Sequence, residues 1–209
     1  AGRSTYHGLQ VSWVQRPTSW GSVRVSYVLS KSMNNLGEFF FSGPIDPFDI
    51  EKDWGRSDND QSHRLTANAT VRTPMGPADA AWKKLAYGFQ LSGGLQAYSA
   101  LPLNITSGVT TIQGTAGRPL VNGAFLPRNA GVGNDFFTMN LRLSRIVTLG
   151  SARLEGSVEG FNLTNRRNVL TRNGNFGTGP YPASPSAGFN QVTAVGDPRT
   201  FQIAVRVRF

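Results

Sequence analysis

The sequence predicts an all-β fold of seven antiparallel strands in the wall of a transmembrane barrel. Two observations predict it: apolar residues alternate with polar ones in seven separate runs, and short and long connections alternate between those runs. A third, compositional one agrees. Aromatic residues make up 11% and charged residues only 16% of the chain, with 24 glycines, whereas globular chains carry about 25% charged residues.

The first run has Leu9, Val11 and Trp13 on one parity, with Gln10, Ser12 and, less cleanly, Val14 on the other. In the second, Val23, Val25, Tyr27 and Leu29 are separated by Arg24, Ser26, Val28 and Ser30. Leu65, Ala67, Ala69 and Val71 form the third, and Leu85, Tyr87, Phe89, Leu91 and Leu95 the fourth. The fifth is Phe137, Met139, Leu141 and Leu143; the sixth is Ala152, Leu154 and Val158. The last is Phe201, Ile203, Val205, Val207 and Phe209, interleaved with Gln202, Ala204, Arg206 and Arg208. A period of two sets each apolar group on one face of a strand. In a soluble sandwich that face fills the core; in a membrane barrel it meets lipid and the polar face lines the lumen. Alternation alone does not separate the two.

The connections do. Pro17–Gly21, Thr73–Lys84 and Thr148–Ser151 are short or modest, whereas Ser32–Ser62, Ala100–Asp135 and Asn165–Arg199 each run to about thirty residues or more. Loops of that length are uncommon in a compact soluble domain, and outer-membrane barrels have short periplasmic turns with long extracellular loops. On that assignment the C-terminus is periplasmic. Trp13 and Trp20 flank the first short turn and Trp82 lies in the second, where indoles suit a membrane interface. His7 and His63 fall at the extracellular strand ends. No run reaches the roughly 18 apolar residues of a membrane helix, but a barrel strand needs only about 9–11 residues. Barrel strands come in even numbers of at least about eight, so the expectation is a partial barrel over residues 1–209, with earlier strands missing.

The formal charge of +9 raises nucleic acid as a partner. The arginines are scattered singly, however, and no strip of interleaved cations and aromatics occurs, so nucleic-acid binding is not expected. The absence of cysteine removes disulfides and thiolate metal sites. No nucleophile–base pair, HExxH or phosphate loop is present, so neither a catalytic role nor a cofactor or metal is expected. Seven of the twelve acids lie within residues 38–60. Their spacing, Asp46, Asp49, Glu51 and Asp53, does not match an EF-hand, and a solvated loop is expected. Phe39, Phe40, Phe41, Phe48 and Trp54 share this loop and are candidates for gripping an extracellular ligand, or for packing on one another. Arg64, Arg142, Arg153, Glu155, Glu159, Arg206 and Arg208 share the polar parity. Wall charges are tolerated where they meet water or a polar plug, so these are expected to face the lumen, either contacting a plug or substrate or bridging neighbouring strands.

Three stretches carry a resemblance. Residues 199–209 (RTFQIAVRVRF) resemble the terminal strand by which outer-membrane proteins are recognised for assembly; its marks are Phe201, Ile203, Val205, Val207 and Phe209. Residues 159–166 (EGFNLTNR) are similar to the FNLFN stretch of TonB-dependent receptors, with Thr164 in place of the second aromatic. Residues 53–65 (DWGRSDNDQSHRL) resemble the GxSDxDxRHR strand entry of Oar-like receptors that bear a carboxypeptidase-regulatory domain, with Ser62 where arginine is usual. Arg118-Pro119 and Pro127-Arg128-Asn129 also resemble that family. The resemblance implies a barrel of about 22 strands in the bacterial outer membrane, surrounded by its lipid and closed by an N-terminal plug domain. It also implies energised uptake through TonB, and assembly by the barrel-assembly machinery. The alternatives are a passive barrel or adhesin, and a secreted β-sandwich binding module.

Overall fold

A computed structural model describes residues 2–36, 43–74, 80–111 and 114–209. The chain is an antiparallel all-β structure. Seven long strands follow one another in a meander: β1 (Ser4–Gln15), β2 (Gly21–Asn34), β3 (His63–Arg72), β4 (Phe89–Tyr98), β5 (Phe136–Leu149), β6 (Ala152–Phe161) and β7 (Thr200–Arg208). The sheet nevertheless has eight strands rather than the expected seven, because Gly55–Arg56 pairs with the end of β2 at Met33 and Asn34.

The register joins the seven alternating runs into two continuous faces. Across one face, Val11 opposes Tyr27, Tyr27 opposes Leu65, and Leu65 opposes Ala97. The row continues from Ala97 to Phe137; lower down, Leu91 opposes Leu143, Leu143 opposes Val158, and Val158 opposes Ile203. The other face carries Ser26 against Thr66, Thr66 against Gln96, and Gln96 against Thr138. A slip of one residue in any pairing would send a charged row to the apolar side.

The apolar face is uncovered. Leu9, Val11, Trp13, Val71, Leu91, Leu143, Val158, Ile203 and Val205 are all exposed, Ile203 by 77%. A sandwich would cover this face with a second sheet, and among the described residues none does so. The buried apolar residues, Ile45, Ala100, Ile105 and Phe176, all lie in the three long connections.

Those connections interlock at one end of the sheet. The first and second meet through Thr115, whose Oγ1 donates to Gly43 O at 2.7 Å, and Asn129, whose Nδ2 donates to Arg56 O at 2.8 Å. The second and third meet where Thr106 N donates to Gly174 O at 2.9 Å and Phe176 N to Thr106 O at 2.8 Å. Phe176 is the centre of the third, with Tyr181 and Phe189 edge-on at 4.9 and 5.1 Å. Short ribbons brace them: Pro102–Leu103 with Gly131–Val132, Leu120–Val121 with Ala124–Phe125, and Val169–Arg172 with Val192–Val195.

Two expectations are corrected here. Leu85 and Tyr87 do not belong to the fourth strand. Leu85 lies in the helix α1 (Ala81–Ala86) and Tyr87 at its C-terminal cap, donating its N–H to Lys83 O. The strand begins beyond Gly88, whose φ of +81° suits glycine and whose missing Cβ makes room for Ile146 O. The acidic loop is not simply solvated. Asp53 and Asp60 are buried. Asp53 accepts from Ile45 N at 2.8 Å, and Asp60 accepts from Ser32 N and Arg56 Nε, both at 2.7 Å. These carboxylates replace backbone partners that a turn-rich loop cannot supply. Asp46 fits the expectation better: the hydrogen bond from Lys52 Nζ at 2.7 Å is the main cause holding its carboxyl below the ordinary aspartate value.

Candidate functional site

The polar face collects all seven wall charges singled out from the sequence. Alternation puts each on that side, and the register sets their neighbours. Arg142 lies opposite Glu159, and its Nη2 donates to Glu155 Oε1 at 3.0 Å. Glu155 faces Arg206, Glu159 faces Gln202, and Arg153 faces Arg208. Directly opposed like charges such as Arg153 and Arg208 are unfavourable; Glu155 lies two residues along the same face of β6. Arg64 stands apart from this group, its guanidinium 5.2 Å from the ring centroid of Tyr98. Ser144 and Ser157, paired across β5 and β6, are buried on this same face.

Towards the long connections, the polar face changes from charged to aromatic. Tyr98 and Phe136 oppose each other in register and their rings stack at 5.6 Å with an 18° interplanar angle. They form one wall of a cleft of about 400 Å³, whose other side is Leu101–Leu103, Gly133–Asn134 and Val169–Arg172 from the second and third connections. Arg172 is held in place there: its Nε donates to Asn134 Oδ1 at 2.6 Å and its Nη1 to Asn190 O at 2.8 Å. Gln96 and Gln61 supply amides at the same cleft. An apolar, ring-stacked wall with a few fixed polar groups is the usual make-up of a small-molecule site. It can hold a flat or ring-shaped ligand against Tyr98 and Phe136 and hydrogen-bond its edge.

Sequence reasoning missed this cleft. Tyr98 and Phe136 sit on the polar parity, which was read for its charges alone, and Asn134 and Arg172 reach the site only through loop folding. The aromatics proposed for the first long loop fare differently. Phe48 is 98% exposed, and Trp54 is half-buried under the Arg3 guanidinium at 4.0 Å. Phe39, Phe40 and Phe41 lie outside the described residues. The terminal-strand residues Phe201, Ile203, Val205 and Val207 line the exposed apolar face, and Phe209 lies just beyond β7, fully exposed. Among the described residues no cluster of His, Asp or Glu has the makings of a metal site.

The end of the sheet away from the long connections carries Trp20 and Trp82, both exposed, and Arg145. Arg145 is on the apolar parity, opposite Phe89, with its guanidinium 4.9 Å from that ring. A cation at this level reaches a headgroup layer by lying along an aromatic side chain. At the opposite end His63, also on the apolar parity, accepts or donates a 2.8 Å hydrogen bond with Tyr27 Oη through Nδ1. The apolar face is thus bounded above and below by side chains with polar tips, as in a band that crosses hydrocarbon.

Among curated proteins and among solved structures, none matches the chain. A family model, the outer membrane beta barrel domain, matches residues 1–126. That stretch takes in β1 to β4 and most of the second long connection, more than half of the chain. Sheet, uncovered apolar face and family match agree: the chain belongs to the outer membrane β-barrel domain family and resides in the outer membrane.

Proposed function

We propose that the chain is the C-terminal barrel portion of a TonB-dependent receptor of the Oar-like kind, taking up a substrate across the outer membrane with energy relayed through TonB. The observation that carries this reading is the cleft of Tyr98, Phe136, Asn134 and Arg172 beneath interlocked connections. A passive pore needs an open water path, whereas a receptor needs a shaped site at the outer mouth of its lumen. The stretches at residues 53–65, 159–166 and 199–209 support the family assignment. In this reading the chain carries no catalytic step. Arg64, Arg142, Arg153, Glu155, Glu159, Arg206 and Arg208 face the plug domain or the substrate path. The C-terminus is periplasmic, and Phe201 to Phe209 engage the barrel-assembly machinery.

The test is uptake by cells expressing the full-length protein, measured with and without a protonophore. Uptake that stops when the proton gradient collapses, and that falls when Tyr98 and Phe136 are changed to alanine, is the expected result. Uptake that continues unchanged without the gradient would identify a passive barrel instead.

A further inference from the structure

We propose that the junction of the first and second long connections binds an oxyanion, the carboxylate or phosphate group of a small ligand, between Arg118 and Arg128. Both arginines line one recess of about 140 Å³, with Asn35, Asp53, Asp58 and Thr115. Their side chains are only 3% and 9% exposed. In each, Nη2 alone donates hydrogen bonds. Arg118 Nη2 donates to Lys52 O at 2.8 Å and pairs with Asp53 Oδ1 at 2.9 Å, and Arg128 Nη2 donates to Asn34 O at 3.2 Å. The Nε and Nη1 of both are buried with no hydrogen-bond partner among the described residues. Leaving charged donors buried and unpaired is costly; two such arginines in one recess call for a shared acceptor.

The local charges call for an anion in particular. Asp53, 10% exposed, balances Arg118. Asp58 does not balance Arg128 in the same way: it is 44% exposed, lies 3.9 Å from Arg128 Nη1, and accepts from Asn129 Nδ2 at 2.6 Å. The buried charge of Arg128 is therefore only partly offset, by a long ion pair to a carboxylate that is itself close to half exposed. Burial is the largest cause lowering the Arg118 pKa, and the Arg128 charge adds to it while Asp53 opposes. Water would satisfy some of the donors but leave that charge. Nε and Nη1 lie on different edges of a guanidinium, so each arginine can offer single hydrogen bonds, and the two together can hold the separate oxygens of one carboxylate or phosphate. Because the two arginines come from the second connection and hold backbone atoms of the first, a bound oxyanion would also tie the two together.

The test is equilibrium dialysis of the full-length protein in detergent against radiolabelled inorganic phosphate and, separately, radiolabelled acetate, at constant ionic strength set with chloride. Saturable binding of about one equivalent of either is expected, and the arm that saturates names the ligand group. Arg128→Gln should weaken it at least about tenfold. Arg128→Lys, which keeps the charge but offers one donor nitrogen in place of two, should weaken it less, and Arg16→Gln at the opposite end of the sheet should leave it unchanged. If Arg128→Gln fails to assemble, the wild-type and Arg128→Lys arms still decide. Absence of saturable binding in the wild type, or equal binding by the wild type and Arg128→Gln, would overturn the proposal.

Discussion

The sheet and the connections that cap it obey opposite solvent rules. On the sheet, apolar residues are exposed along a whole face, and the buried side chains include Ser144 and Ser157 on the polar side. In the connections, Ile45, Ile105 and Phe176 are buried while carboxylates such as Asp46 and Asp49 reach the surface. The connections are organised as a small water-soluble protein, with an apolar centre and a buried Arg118–Asp53 pair. The sheet is organised for a solvent that is itself apolar, where exposing Ile203 costs nothing and exposing a charge does. One chain therefore needs two explanations of its stability, and the boundary between them runs through the strand ends near His63, Tyr98 and Phe136.

Substitutions can break or sharpen that contrast. Phe176→Ala should have the largest effect, about 3–5 kcal/mol of local stability, since the ring is 1% exposed and packed by Tyr181 and Phe189. Limited proteolysis should show faster cleavage of the third connection while the folded barrel's mobility on unheated gels stays the same. If the sheet unfolds with it, the two regions are one cooperative unit. Next, Ile203→Arg should destabilise the lipid-inserted state by about 2–4 kcal/mol, and Gln202→Arg, on the polar parity, by much less. Reversible denaturant unfolding in lipid vesicles measures both, and equal costs would contradict the assignment of the lipid face. A double-mutant cycle on Arg142 and Glu155 should give a coupling of only about 0.2–1 kcal/mol, as their side chains are 38% and 21% exposed; a larger value would mean that this face is drier than a water-filled lumen.

The smallest effect concerns pH. The Asp46 carboxyl is held below the ordinary aspartate value, first by the Lys52 hydrogen bond, and Lys52 is raised above the ordinary lysine value by the same partner. A lowered acid contributes stability above its unfolded pKa and loses it as pH falls through the folded one; a raised base contributes below its unfolded pKa and loses it as pH rises through the folded one. The pair should therefore help uniformly across neutral pH, with losses only at the acid and alkaline extremes. Both groups are exposed, so Asp46→Asn should leave proteolysis of the first connection at pH 7 almost unchanged.

The wall was the more legible part. Alternation placed all seven long strands, because a barrel strand needs only a period of two and each connection breaks it visibly. The error at Leu85 and Tyr87 arose because a six-residue helix is too short to show its own period, and its apolar residues continued the parity of Phe89 by chance. In the connections the sequence shows lengths, an acidic and aromatic stretch and family-like motifs, but not how these segments fold on one another. One signal was available: Asn122-Gly123, with φ of 50° and 80°, turns the Leu120–Phe125 hairpin, and Asn-Gly between apolar residues is a strong local hairpin mark. The rest was beyond a sequence reading. Arg118 and Arg128 find their places through contacts 66 and 94 residues away along the chain, and the Tyr98–Phe136 stack depends on β4 and β5 meeting in register across the second connection.

The guanidinium that lies along Phe89 also works as a depth gauge. From Phe137 to Arg145 the apolar parity of β5 runs over nine residues, roughly 27 Å of strand, which at a barrel tilt of about 40° stands roughly 21 Å tall. Arg145 sets the lower edge of that height and the Tyr27–His63 pair the upper. Such a wall suits a thin bilayer, and bacterial outer membranes are thinner than average. In a thicker one the lipids would have to compress around it, and that deformation would draw neighbouring walls of the same height together.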